Sequence, residues 1–179
     1  MRRISLVVAA LLFAGAAQAQ ILWVGAGAGT TWSYEPDTAP GETFLHSGTT
    51  APMIFAAVPL NDDTLLRLRA QTMPVDTLYN GEAWPGKVQA LTLGVDYFLE
   101  DYLGEAVLSA GFGRYQLDLQ AKQPPEGLED GKFGWYVSVG QWFAITRRSR
   151  VTLDITVDRC TVPNDPILFS LNAALAFSF

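Results

Sequence analysis

The last thirteen residues of the chain, from Ile167 to Phe179, alternate with a period of two. Ile167, Phe169, Leu171, Ala173, Leu175, Phe177 and Phe179 fall on one side. Ser170, Asn172, Ala174, Ala176 and Ser178 fall on the other, with Leu168 as the exception. That period belongs to a strand with one greasy face and one small or polar face. A soluble sandwich accommodates such a strand, and so does a lipid-facing wall. Length and ending favour the second: roughly 9–11 residues carry a tilted strand across a hydrocarbon layer, and a terminal aromatic ring suits the membrane–water boundary.

The start of the chain agrees. Met1-Arg2-Arg3 is charged, Ile4 to Ala16 is apolar, and Ala17-Gln18-Ala19 has the small-x-small form of a cleavage site. This predicts a secretory signal peptide over 1–19 and a mature domain over 20–179. The apolar run is shorter than the roughly 20 residues of a spanning helix, and no later stretch suits one. A mature chain that enters a membrane therefore does so as strands. Removing Arg2 and Arg3 takes the formal charge from −6 to −8, which argues against nucleic acid as a partner. Cys160, the one cysteine, has no intrachain disulfide partner and reads as a small filler near a strand end.

Alternation between turn signals predicts eight strands, near 21–32, 51–60, 64–73, 88–99, 105–119, 133–145, 150–160 and 167–179. Gly25, Gly27 and Gly29 share one face of the first strand, which implies a tight interior, and their spacing continues the strand rather than forming a phosphate loop. In the fifth strand the phase is expected to change near Gly111-Phe112-Gly113, as at a glycine bulge. Long connections are expected at 34–50, Pro74–Lys87 and Gln120–Lys132, with short turns between them. Long and short connections alternating around an even number of strands imply an all-β, antiparallel, up-and-down barrel, with both termini at the short-turn rim and no free edge. Two aromatic belts are expected: Trp23, Tyr97, Tyr102, Trp142, Phe143, Phe177 and Phe179 at the short-turn rim, and Trp32, Tyr34, Tyr115, Phe133, Trp135 and Phe169 at the other.

The final strand, with Phe169, Leu171, Leu175, Phe177 and terminal Phe179, resembles the insertion signal of bacterial outer-membrane β-barrels. The mature chain as a whole resembles the small eight-stranded group that includes the OmpA transmembrane domain, OmpX and OmpW. This resemblance implies recognition by the barrel assembly machinery, residence in the bacterial outer membrane, and contact with its lipid and lipopolysaccharide. Where the OmpA type continues into a peptidoglycan-binding domain this sequence stops at Phe179, so wall anchoring of that kind is not expected.

Inside so narrow a barrel there is room for side chains and hardly for a pore. Arg67, Arg69, Asp96, Asp154 and Asp158 are expected to point inward, joined by Arg114 and Asp118. Such a set forms a plug of ion pairs or lines a gated path for small ions or protons. Pairing Thr72 near Val88 puts Arg67 opposite Thr92 or Gly94, with Asp96 as its diagonal neighbour. An acyl-transfer enzyme needs a nucleophile beside a base. His46 is the only histidine, Ser47 would point away from it in an extended strand, and Ser33 or Thr49 would reach it only in a folded loop. No His-x-Ser-Asn motif of a lipid A deacylase is present. Glu35, Asp37, Glu42, Asp76, Glu82, Glu126, Glu129, Asp130 and Asp165 give acidic loops whose spacing matches no calcium loop; any external ligand of theirs is unspecified. The expectation is a non-enzymatic barrel without cofactor or metal, structural or engaged in surface interactions. The alternatives are a narrow channel or transporter, a lipid A-modifying barrel, and a soluble lipocalin-like barrel of the periplasm. If Phe179 belongs to an insertion signal, deleting it lowers the amount of folded barrel in outer-membrane fractions, read as the heat-modifiable gel band, while export across the inner membrane continues.

Overall fold

The computed structural model describes residues 22–34, 49–79, 82–101, 104–119, 131–161 and 167–179, without the side chains of 76–84, 100, 101, 104 and 119. The leader, Tyr102, His46 and Ser47, and the acidic side chains expected in the loops lie outside the described residues. Eight strands follow in order: β1 (Trp23–Tyr34), β2 (Thr49–Asn61), β3 (Thr64–Tyr79), β4 (Glu82–Asp101), β5 (Gly104–Leu119), β6 (Lys132–Thr146), β7 (Ser149–Cys160) and β8 (Ile167–Ser178). Each pairs antiparallel with its sequence neighbours, and β8 pairs with β1 to close the barrel. The register of that closing seam runs without a break from Trp23 opposite Ser178 to Tyr34 opposite Ile167. Beyond it, the amides of Leu22 and Phe179 each donate to the other's carbonyl, at 3.1 and 2.9 Å.

Alternation sorts every strand into an inner and an outer face. On β8, Leu168, Ser170, Asn172, Ala174 and Ala176 are buried, whereas Phe169, Leu171, Leu175 and Phe177 are exposed, as is terminal Phe179. The greasy face points away from the barrel on β4 to β7 too, with Leu91, Val95, Leu108, Phe112, Val137, Val139, Leu153 and Ile155 exposed. Two-residue turns at 62–63 and 147–148 join strands at the rim that carries both termini, where β4 and β5 also stay paired as far as Asp101 opposite Gly104.

The expected long connection over Pro74–Lys87 is corrected: β3 and β4 stay paired to Tyr79 opposite Glu82. The paired stretch contains Pro74 and Pro85, and proline is disfavoured where a ladder needs its amide. Their places remove that objection. β3 pairs with β2 only as far as Gln71, short of Pro74, and β4 pairs with β5 only as far as Gly86, short of Pro85. Each proline lies in a stretch flanked by a single neighbour. The hairpin thus extends beyond the closed part of the wall.

The expected bulge at Gly111–Gly113 is absent. β5 keeps one register with both neighbours, and Val107, Ser109, Tyr115 and Leu117 are buried on its inner face. True irregularities occur at Pro59/Asn61 and Ala144/Thr146. The aromatic belts also need correction, since Trp23, Trp142 and Tyr115 share the inward parity. Near the short-turn rim, Trp142 packs within 5.3–5.9 Å of the rings of Trp23, Phe55 and Phe98. There it joins an apolar cluster with Met53, Leu65 and Val107. A second apolar cluster, of Met73, Val75, Val88, Tyr115, Leu117, Cys160 and Leu168, fills the lumen toward the other rim. Cys160 is buried within it.

Inward glycines leave space that a neighbouring strand fills. The Phe55 ring occupies the volume over Gly25, Tyr136 lies over Gly94 and Gly111, and Tyr115 over Gly134. The three atoms nearest to a methyl group at Gly25 all belong to the Phe55 ring. Gly25→Ala is therefore expected to cost about 1–3 kcal/mol by overpacking. That cost should largely vanish in a Phe55→Ala background, read as coupling in urea unfolding of the barrel in micelles.

Candidate functional site

Between the two apolar clusters lies a belt of buried polar side chains. β3 brings in Arg67, Arg69 and Gln71 on alternate residues, all at most 3% exposed. A guanidinium taken out of water requires paired carboxylates or hydrogen-bond acceptors. The register supplies them. Arg67 stands opposite Gly94, so Asp96, two residues on and on the same face, is its diagonal neighbour. Arg67 Nη2 lies 3.1 Å from Asp96 Oδ1 and donates to Ser109 Oγ at 3.2 Å. The ion pair between Arg67 and Asp96 is close but not aligned as a hydrogen bond, which leaves both carboxylate oxygens of Asp96 with acceptor capacity. The Arg67 guanidinium also faces the Phe55 ring at 5.6 Å.

Arg69 spans the lumen. Its Nη2 donates to Asp158 Oδ1 on β7 at 2.6 Å, its Nε donates to Thr92 Oγ1 at 3.3 Å, and its planar head lies 4.2 Å over the Tyr136 ring. Asp158 Oδ1 also accepts from the Tyr115 hydroxyl at 2.7 Å. The third carboxylate, Asp154, is held by neutral donors, Thr156 Oγ1 and Asn172 Nδ2, each at 2.8 Å. Gln71 Nε2 in turn donates to Asn172 Oδ1 at 2.9 Å, so β3, β8 and β7 are linked by one relay of side chains.

The structure thus gathers five of the expected lumen residues, Arg67, Arg69, Asp96, Asp154 and Asp158. It does not bring Arg114 or Asp118 to them. Without a bulge in β5 their even parity turns both outward: Arg114 is exposed, and Asp118 makes a half-exposed ion pair with Lys87 at 3.1 Å. The sequence reading missed Gln71, Asn172, Tyr115, Tyr136 and Thr156 as members of the network. Inward parity beside a buried charge was the available signal. Chemically the belt holds hydroxyls that donate to carboxylates and guanidiniums that neutralise them. Among the described residues no group of three His, Cys, Asp or Glu side chains could hold a metal ion.

No protein-family model and no curated protein sequence matches the chain. Solved structures do. Neisserial surface protein A superimposes with a TM-score of 0.67 at 11% identity, over 88% of this chain and 97% of that one. Ail, the attachment invasion locus protein of Yersinia pestis, gives 0.57 at 11% identity over 89% and 98%. The N-terminal β-barrel domain of Pseudomonas aeruginosa OprF gives 0.57 at 11% identity over 88% and 97%.

The lumen pairs are testable against an exposed one. Asp96→Ala leaves Arg67 buried beside an orphaned position and is expected to cost about 3–5 kcal/mol. Asp118→Ala, which breaks the half-exposed pair with Lys87, should stay within about 1 kcal/mol. Arg67→Ala combined with Asp96→Ala should lose less than the sum of the single changes in urea unfolding; simple additivity would disprove the partnership. The fold in which these pairs sit is that of the small eight-stranded outer-membrane β-barrels.

Proposed function

We propose that this protein resides in the bacterial outer membrane as a non-enzymatic barrel with a structural or surface-interaction role, reached by way of a cleaved signal peptide. The observation that carries the reading is the inversion of the wall. Large apolar side chains face outward on strand after strand, with Phe112, Val139, Ile155 and Leu171 each more than half exposed, while Arg69, Asp96, Asp158 and Asn172 are sealed inside. A soluble monomer rarely exposes a contiguous apolar patch beyond a few hundred Å². A lipocalin-like barrel, greasy inside and wet outside, has the opposite arrangement. Hydrocarbon around the wall and closed backbone pairing satisfy both faces at once.

The lumen supports an anchoring role over conduction. Its polar belt is packed side chain to side chain and closed off by apolar clusters at both ends. Ail, a protein of the same fold, is named for attachment and invasion, which is in keeping with work done by the outer rim of such a barrel rather than by its interior. In planar bilayers the purified barrel is expected to give no large, stable open steps, and in cell fractionation it should follow the outer membrane. Stable conductance would replace the anchoring reading with a channel, and recovery in the soluble periplasmic fraction would overturn the membrane reading.

A further inference from the structure

Moving along the outer face toward the rim opposite the termini, the apolar band gives way to cationic side chains on one side of the barrel. On β5 the outward series Leu108, Ala110, Phe112 gives way to Arg114, with Gln116 and then Asp118, paired to Lys87 of β4, beyond it; on β7 the series Leu153, Ile155, Val157 ends at Arg159. Both arginines are exposed. Between them, β6 turns Phe133 and Trp135 outward, 64% and 43% exposed, and Phe133 stacks on Phe112 at 6.0 Å. Arg114 is the register partner of Phe133, and Arg159 of Trp135. Arg114 makes no ion pair among the described residues. Around the other side of the barrel the same boundary carries Ile167, Trp32, Tyr34, Thr50 and Thr72, which bear no charge.

Two exposed arginines on a wall flanked by aromatic rings, in a chain whose formal charge is −6, are more than a solvated edge requires. Two strand spacings and a two-residue offset separate their backbones by roughly 12 Å. A guanidinium binds phosphate through two parallel N–H donors, and aromatic rings at this height lie against sugar faces and the tops of acyl chains. Short turns at the rim with the termini and longer connections at the other put Arg114 and Arg159 at the external leaflet, where the lipid of such a membrane is a phosphorylated glycolipid.

We propose that the outer wall of β5, β6 and β7 is a binding site for the diphosphorylated disaccharide headgroup of lipopolysaccharide, with Arg114 and Arg159 each taking one phosphate and Phe133 and Trp135 carrying the sugar and chain between them. This rests on the outer-membrane reading above. A headgroup with two phosphates on a disaccharide spans the arginines; a phospholipid, with one phosphate, engages one of them.

The test is equilibrium binding to the folded barrel in neutral detergent, with diphosphoryl lipid A, monophosphoryl lipid A, phosphatidylglycerol and inorganic phosphate as separate probes. Diphosphoryl lipid A is expected to bind most tightly, and Arg114→Gln with Arg159→Gln to weaken it roughly tenfold or more, through loss of two charge-assisted contacts. Arg147→Gln, which removes an exposed cation at the short-turn rim, should leave binding unchanged. Undiminished binding in the double variant, an equal loss in Arg147→Gln, or equal binding of monophosphoryl lipid A or phosphatidylglycerol each overturns the site. The comparison of probes on the unaltered protein decides the matter even if the double variant does not fold. Fractionation of the same cells reports separately on membrane residence, so failure of the site and failure of the outer-membrane reading are told apart.

Discussion

The ion pair between Arg69 and Asp158 is the constraint from which the interior follows. It joins β3 to β7, strands that share no ladder, so it acts as a strut across the barrel rather than a rung along its wall. A guanidinium stripped of water is costly unless its donors are met. Thr92, Asp158 and the Tyr136 face meet those of Arg69. Meeting them fixes the inward direction of β3, β4, β6 and β7 together, because a slip of one residue in any of these strands would send its contributor to the outer face. The charges therefore specify register as much as they stabilise it.

The glycines are the other half of that specification. Large inner side chains need room in a narrow lumen, and Gly94 and Gly111 give the space that lets the Tyr136 ring lie flat against two neighbouring strands, beneath Arg69. The positions that look empty in the sequence are those occupied by a neighbour's ring. Polar relay, aromatic face and glycine floor form one packed unit, and the apolar clusters at either end keep water from competing for its hydrogen bonds.

Most of the architecture was legible in the chain. β7 and β8 alternate so cleanly that both faces followed from residue order alone, and Arg67 and Asp96 could be placed as diagonal neighbours because a hairpin relates adjacent strands. What escaped the reading has identifiable causes. Arg69 and Asp158 meet across the lumen, where sequence order sets no register. Gly111 and Gly113 carry no side chain to mark a face, so residue order alone does not fix the phase at Phe112 or the direction of Arg114 beyond it. For Trp23, Trp142 and Tyr115, height along the barrel suggests a belt, but parity decides their direction. Asn80-Gly81 and Pro85-Gly86 carry loop chemistry into a stretch that stays paired, and Pro74 and Pro85 each lie where their strand has one neighbour.

The seam between β1 and β8 has a kinetic consequence. Every other ladder joins strands adjacent in sequence, so those contacts are local and each hairpin forms from a short search. The seam joins Trp23 to Ser178, nearly the whole length of the described chain. Until it zips, β1 and β8 both present unpaired edges, the state in which strands capture one another between molecules. Closure is thus a single, late, long-range encounter that completes the wall all at once, and a chain delayed before it is the species most prone to aggregate. Speed of assembly depends on how long those two edges can be kept from other strands, more than on how tightly the finished barrel holds together.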